Sequence, residues 1–282
     1  MMGMMLADGA TEMQMRVGSA IMLALPTVMA VITGWPFGEL VISLLITVSS
    51  MEWGAMVGNA PLDHSTRMAA AVMNWLTLAA LALFSAHHLS ICVGAVWVLV
   101  ALNMPLCTTE NLSPEDEDRQ MRGPFVGALY IGTGLAAVWS VYVTMPSITL
   151  LWLLCITWLT DIGALVAGRY LRGPLLCPTI SPRKTWSGAA GGLLLSAVIT
   201  TLVFSGPAVF NTQEVSQGGL LLRALIVSFG AILGDLLESL IKRAYGIKDS
   251  GTLLPGHGGL LDRIDSLLVS APMLLLIVWI MT

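Results

Sequence analysis

The 282 residues are 56% hydrophobic and only 11% charged, with a formal net charge of −4. A typical globular chain has roughly 45–50% apolar and about 25% charged residues, so this one lacks the charge to clothe a soluble surface. The weakly acidic balance also argues against nucleic acid as a partner. Cys92, Cys107, Cys155 and Cys177 follow no metal-ligand spacing such as C-x-x-C and read as small apolar packing residues.

Arg16 and the apolar run from Val17 to Thr33 have the outline of a secretory signal. No small-residue cleavage site follows, and many more apolar runs do, so a retained first span is expected. Met1, Met2, Met4, Met5, Met13 and Met15 crowd this stretch, so it offers no single start codon and no function rests on it.

A bilayer core requires about 20 mostly apolar residues per helix, with every backbone polar group satisfied inside the segment. In chain order the runs 17–34, 37–58, 69–86, 88–106, 124–144, 147–168, 187–206, 219–241 and 264–281 meet that requirement. Only His87 and His88 separate the third from the fourth. The expected fold is all-α and polytopic, with about nine transmembrane helices. With the N-terminus in the cytoplasm, this alternation places all 13 lysines and arginines except Arg223 on the cytoplasmic side. The positive-inside rule requires that asymmetry, and merging or splitting one span would scatter it.

The C-terminus then lies outside, and the longer polar loops 107–123, 169–186 and 242–263 face the cytoplasm, as in a bacterial-type inner membrane. Any soluble substrate is met from that face. Glu115–Asp118 reads as a solvated linker, and His64, His87 and His88 as interfacial residues. Residues 1–123 form an N-terminal set of helices and 124–282 a C-terminal region that carries the chemistry. No internal repeat is visible.

A carboxylate inside a membrane helix costs about 2.5–3.5 kcal/mol on insertion scales, so each one needs a reason. Asp161, Asp235, Glu238, Asp262 and Asp265 all fall in or beside the cytoplasmic leaflet. Asp235, Glu238, Ser239 and Lys242 recur at i, i+3, i+4 and i+7 and share one helical face. Such a face of hard oxygen ligands suits Mg2+. Simpler roles compete: Asp262 and Asp265 as helix caps, and Asp235 or Glu238 as ion-pair partners of Lys242 or Arg243. One shared site explains five acids at one depth better than five separate roles.

The stretch Ser239–Asp265 reads SLIKRAYGIKDSGTLLPGHGGLLDRID. It supplies the cations Lys242 and Arg243, the pair Lys248 and Asp249, a Gly256–Gly259 turn around His257, and the acids of Asp262-Arg263-Ile264-Asp265. Cations neutralise phosphate oxygens, and glycines such as Gly258 and Gly259 let backbone N–H groups approach an anion. A Pro-Gly-His-Gly-Gly run alone is more often a turn than a cradle; the combination gives it weight. The stretch resembles, nearly position for position, the signature of the phosphatidate cytidylyltransferase family. A second block is also similar to that family: Asp161-Ile162-Gly163-Ala164 through Gly168-Arg169, then Ile180-Ser181-Pro182-Arg183-Lys184-Thr185-Trp186-Ser187-Gly188. The chain departs from the family at Ile162, where Thr is usual, and at Ser187, where an acid or amide is frequent. The N-terminal spans match only in being apolar.

The resemblance implies attack of a phosphatidate oxygen on the α-phosphorus of CTP, with pyrophosphate leaving. That nucleophile is already an anion near neutral pH, so the protein must supply alignment and charge neutralisation. The resemblance further implies Mg2+ on Asp235, Asp262 and Asp265, with Asp161 and Glu238 as outer candidates and a second cation as an alternative. Lys184, Lys242, Arg243 and Lys248 would meet phosphates, with Asp249 and His257 in the catalytic set. Ser181, Pro182, Thr185, Ser239, Gly258, Gly259 and Arg263 would contact substrate. Capping of the helix near Trp186 competes for Ser181 and Thr185, and a structural turn competes for His257. CTP, phosphatidic acid and membrane lipids are the expected partners. The G-x-x-x-G spacings Gly188–Gly192 and Gly230–Gly234 suit close packing within the monomer more readily than a homodimer, which stays open. A CTP-dependent kinase or cytidylyltransferase for another lipid is an alternative. A secondary transporter is a weaker one, because its acids would sit near the midplane between repeats.

Overall fold

The computed structural model describes residues 24–34, 37–58, 126–205, 209–210, 215–251, 253 and 258–281. The expected spans 69–86 and 88–106, the loop 107–123, Cys92, Cys107, His64, His87, His88 and His257 lie outside the described residues. The short apolar helix α1 (Ala24–Thr33) precedes α2 (Phe37–Gly58). A π-helical turn, Ala128–Gly132, leads into α3 (Thr133–Thr144), followed by α4 (Ser147–Leu171). Strands β1 (Leu175–Cys177) and β2 (Ser181–Thr185) come next, then α5 (Trp186–Val203), α6 (Gln217–Ala244) and α7 (Leu261–Met281).

Among the described residues five helices, α2 and α4 to α7, are long and apolar enough to cross a membrane. The fold class is therefore the one expected, a helical membrane protein. Of the expected nine runs, 69–86 and 88–106 fall outside the described residues; 37–58, 147–168, 187–206, 219–241 and 264–281 overlap the five long helices, whereas the described parts of 17–34 and 124–144 hold shorter apolar helices.

Three local departures have physical causes. The polar segment 169–186, expected as a loop, contains an antiparallel hairpin with Leu175 opposite Thr185 and Cys177 opposite Ser181. Three- and five-residue strands are too short to leave a period-two signal in sequence. Helix α4 overruns its expected end to Leu171 and stops where Arg172 adopts a left-handed backbone (φ 46°). Helix α7 likewise starts early, at Leu261, so Asp262 and Asp265 lie within its first turns rather than ahead of it. Negative charge there is favoured by the helix dipole.

Lipid-immersed helices gain little from burying apolar surface against one another, so their packing relies on close approach and internal hydrogen bonds. Small residues make the α4–α5 seam tight. A Cβ at Gly163 would lie 2.9 Å from Gly192 Cα, and one at Gly188 would lie 2.8 Å from the Ala164 carbonyl oxygen. Gly230 and Gly234 seat α6 against Ser270 and Asp265 of α7, so both glycine pairs face helices of the same chain. Buried hydroxyls follow the same logic: Ser196 and Ser228 bond each other across α5 and α6 at 2.7 Å. Each also lies within bonding distance of the carbonyl four residues earlier, so one hydroxyl donates to its own carbonyl while the other donates across the interface. Trp53, Trp139 and Trp152 are fully buried in the core, whereas Leu202, Val203 and Trp279 face outward where lipid would lie.

This seam generates a stability prediction. Gly192→Val, whose side chain would press on the Thr160 carbonyl and on Ala164, should destabilise the detergent-solubilised protein by about 1–3 kcal/mol. Leu194→Ala, on the lipid-facing side of the same helix, should leave the melting temperature nearly unchanged. Equal melting temperatures for wild type and the Gly192 variant would show that the seam tolerates separation.

Candidate active site

A cavity of ≈ 660 Å³ opens between α4, the hairpin, α5, α6 and α7. Its size is typical of a small-molecule site. The two sequence blocks meet in it: Asp161, Ser181, Lys184 and Thr185 from the first, Asp235, Lys242, Asp249, Asp262, Arg263 and Asp265 from the second. Arg169 and Arg183 also line it. Ala164, Leu165, Leu176, Ala189 and Ile232 add apolar side chains to this charged lining.

The charges are arranged in contacts rather than scattered. Lys184, on β2, pairs with Asp235 on α6. The Lys242 ammonium lies 3.3 Å from Glu238, one turn earlier on α6, and 2.6 Å from Asp262 Oδ1. Asp262 Oδ2 accepts the backbone N–H groups of Ser250 (3.0 Å) and Gly259 (2.8 Å), so Asp262 reaches back from the first turn of α7 and fastens Ser250 and Gly259 ahead of it. Gly258 has φ 80°, and a Cβ there would lie 2.6 Å from Asp262 Oδ2, so this approach requires glycine. Asp265 is buried, and its Oδ1 accepts the Ser266 N–H.

Other expected residues take different places. Thr185 caps α5 by accepting the Gly188 N–H at 3.0 Å, the competing role weighed for it, while still lining the cavity. Ser187 Oγ, where the chain departs from the family, accepts the Gly173 N–H at 3.0 Å and ties α4 and the hairpin to α5. Ser181 sits on β2 rather than capping a helix. Pro182 and Lys248 are exposed, and Ser239 is half-buried on α6. Arg243 turns to the surface, donating to the Ile180 carbonyl (3.4 Å) and the Ile247 carbonyl (3.2 Å).

Sequence reasoning missed Glu52. This α2 side chain is buried, with its Oε1 accepting the Leu260 N–H at 2.7 Å and its Oε2 the Leu261 N–H at 2.8 Å. The Ser250 hydroxyl donates to Oε2 as well, at 3.1 Å. A signal was available: the cost of a carboxylate in an apolar run, applied to the C-terminal acids, applies equally to Glu39 and Glu52. Glu39 is satisfied by the Tyr142 hydroxyl at 3.1 Å.

No three His, Cys, Asp or Glu side chains among the described residues are arranged to hold a metal ion unaided. The donor chemistry nevertheless suits a hard cation. Asp235 pairs with Lys184, Glu238 and Asp262 pair with Lys242, and Asp161 and Asp265 line the same cavity; both buried oxygens of Glu238 lack a hydrogen-bond donor apart from the Lys242 ion pair. Mg2+ commonly takes one or two carboxylates and completes its shell with phosphate and water, which such a cluster can accommodate.

A sequence model described as "Cytidylyltransferase family" matches residues 14–281. A Brucella melitensis protein named phosphatidate cytidylyltransferase is 46% identical over 129 residues, 45% of this chain and 46% of that protein. Proteins of the same name from Rickettsia bellii and Helicobacter pylori are 42% identical over 125 residues and 40% identical over 145 residues. These matches cover 44% and 51% of this chain, and 54% and 52% of those proteins. The chain thus spans about half the length of the curated relatives it matches.

The cap geometry can be checked independently of any reaction. Thr185→Ala should lower stability by about 1 kcal/mol through loss of the cap to Gly188, and Thr185→Ser should restore most of it. The readout is thermal unfolding in detergent. Alanine and serine variants that melt together would remove the capping role.

Proposed function

We propose, on the premise that the chain belongs to the cytidylyltransferase family, that it transfers the cytidylyl group of CTP to phosphatidic acid. A phosphatidate oxygen bonds to the α-phosphorus of CTP, the bond from that phosphorus to the bridging oxygen breaks, and pyrophosphate leaves with its electron pair. The product is CDP-diacylglycerol. The observation that carries this reading is one cavity lined both by lysines, arginines and carboxylates and by apolar side chains. A nucleotide triphosphate and a lipid headgroup both require the charged groups, and acyl chains require the apolar ones. The names of the relatives support phosphatidate over another lipid.

The chemistry asks the protein for alignment and charge compensation, because both reactants arrive as anions. Lys184 and Lys242 are held by carboxylates on their neighbours, so their ammonium groups are fixed before substrate arrives. Arg183 and Arg263 add positive charge to the cavity, and Arg243 and Lys248 supply it outside. Asp235 and Asp265 would hold Mg2+ with phosphate and water as remaining ligands, Asp161 lying within their electrostatic reach. When bound, the cation supplies neutralisation of phosphate oxygens in the transition state. Asp262, with both oxygens engaged, orients Lys242 and holds Ser250 and Gly259. The cations lining this cavity are ones the positive-inside rule assigns to the cytoplasm, so the site faces that compartment, where CTP is available.

Purified protein given CTP, phosphatidate and Mg2+ should release pyrophosphate and form CDP-diacylglycerol, and a chelator should stop both. Pyrophosphate release that needs no lipid would overturn the acceptor assignment, and turnover in chelator would remove the cation. Asp265→Asn should lower kcat by on the order of 100-fold or more, with normal membrane insertion. Lys242→Ala should raise the KM for CTP by about tenfold, equivalent to about 1.4 kcal/mol. It should change the KM for phosphatidate less, and an unaltered CTP dependence would assign Lys242 elsewhere.

A further inference from the structure

We infer that Glu52, on an N-terminal helix far from both signature blocks, is a positioning residue for the reaction. It acts by holding Ser250 and the start of α7, which carries Asp262, and, through Asp262, Lys242. The inference rests on the function proposed above and extends it to a part of the chain whose sequence resemblance is only general.

Ser250 and the start of α7 are gripped from two sides. Ser250 gives its backbone N–H to Asp262 and its hydroxyl to Glu52. Gly259 gives its N–H to Asp262, and the next two residues, Leu260 and Leu261, give theirs to the two oxygens of Glu52. These are N–H groups that the first turn of α7 cannot satisfy internally. Glycine makes room for the grip. A Cβ at Gly251 would lie 2.9 Å from Glu52 Oε1, and one at Gly259 would collide with Ser250 Oγ and Glu52 Oε2. Lys242, 2.6 Å from Asp262 Oδ1, completes the relay from α2 to the cavity lining. Glu52 itself does not line the cavity, so it touches no reacting group.

Both Glu52 oxygens face backbone N–H donors, and this makes the role separable from simple space filling. Glutamine has nearly the same volume but turns an N–H2 group toward one of those donors. Aspartate is a methylene shorter but keeps two acceptors. Positioning through acceptors ranks Glu52→Asp above Glu52→Gln in kcat, whereas packing alone ranks them the other way.

The test is kcat and KM for CTP and phosphatidate, with amide hydrogen exchange in detergent, on wild type, Glu52→Gln and Glu52→Asp. The glutamine variant should lose at least tenfold in kcat, with KM for phosphatidate within twofold. Exchange should accelerate at least tenfold at Leu260 and Leu261 and remain unchanged in α4 and α5. A glutamine variant with at least half the wild-type kcat, or one that outperforms aspartate, overturns the inference. If the glutamine variant does not fold, Ser250→Ala decides. It removes one donor to Glu52 and should lower kcat several-fold while speeding exchange at residues 258–261. Wild-type values in both readouts overturn the inference. Absence of CTP turnover in the wild-type protein, with the exchange changes intact, strikes the proposed reaction and leaves the hold of Glu52 on Ser250 and the start of α7 standing.

Discussion

Carboxylates carried below a membrane surface are tolerable only when donors come with them, and the contact between Asp262 and Lys242 shows how this chain meets that demand. One oxygen of Asp262 takes the ammonium of Lys242 at 2.6 Å, and the other takes two backbone N–H groups. Removing either side would leave a buried charge uncompensated, which costs far more than the pair gains. The location of Ser250, the start of α7 and the direction of Lys242 all follow from that node. Lys184 and Asp235 repeat the device across α6 and β2.

Charge pairing of this kind needs helices that approach closely, because the side chains are short. Glycine supplies that proximity. The α4–α5 contact at Gly163, Gly188 and Gly192 brings Asp161 and the hairpin to one wall of the cavity, and Gly234 against the backbone of Asp265 brings α6 to α7. A bulkier residue at any of these points would separate the acids from the cations that balance them. The small residues therefore act on the chemistry through distance, although none needs to touch a substrate.

Much of this was legible in the sequence, for physical reasons. Apolar runs long enough to span a bilayer leave an unambiguous composition, and α2 has the very bounds read from its run. The two signature blocks were legible because phosphate chemistry demands particular side chains at particular spacings, and both blocks line one cavity. Three features were less visible. The hairpin 175–185 is too short for periodicity to declare it. Helical spacing points to Lys242 or Arg243, about two turns along the same helix, as the partner of Asp235, whereas Lys184 reaches it from a different element, a tertiary contact that local spacing does not encode. Glu52 escaped because its partners are backbone N–H groups, which have no sequence signature at all.

The separation of 208 residues between Glu52 and Leu260 has a consequence for biogenesis. Helix α2 is synthesised and delivered to the bilayer long before the amides that will occupy its carboxyl exist, so the growing chain must carry an unsatisfied acid through most of its own assembly. Contacts this distant in sequence close late, since loop entropy must be overcome first. The candidate site thus closes only after α7 has been made, and a ribosome that stalls before α7 leaves a membrane-embedded fragment without it.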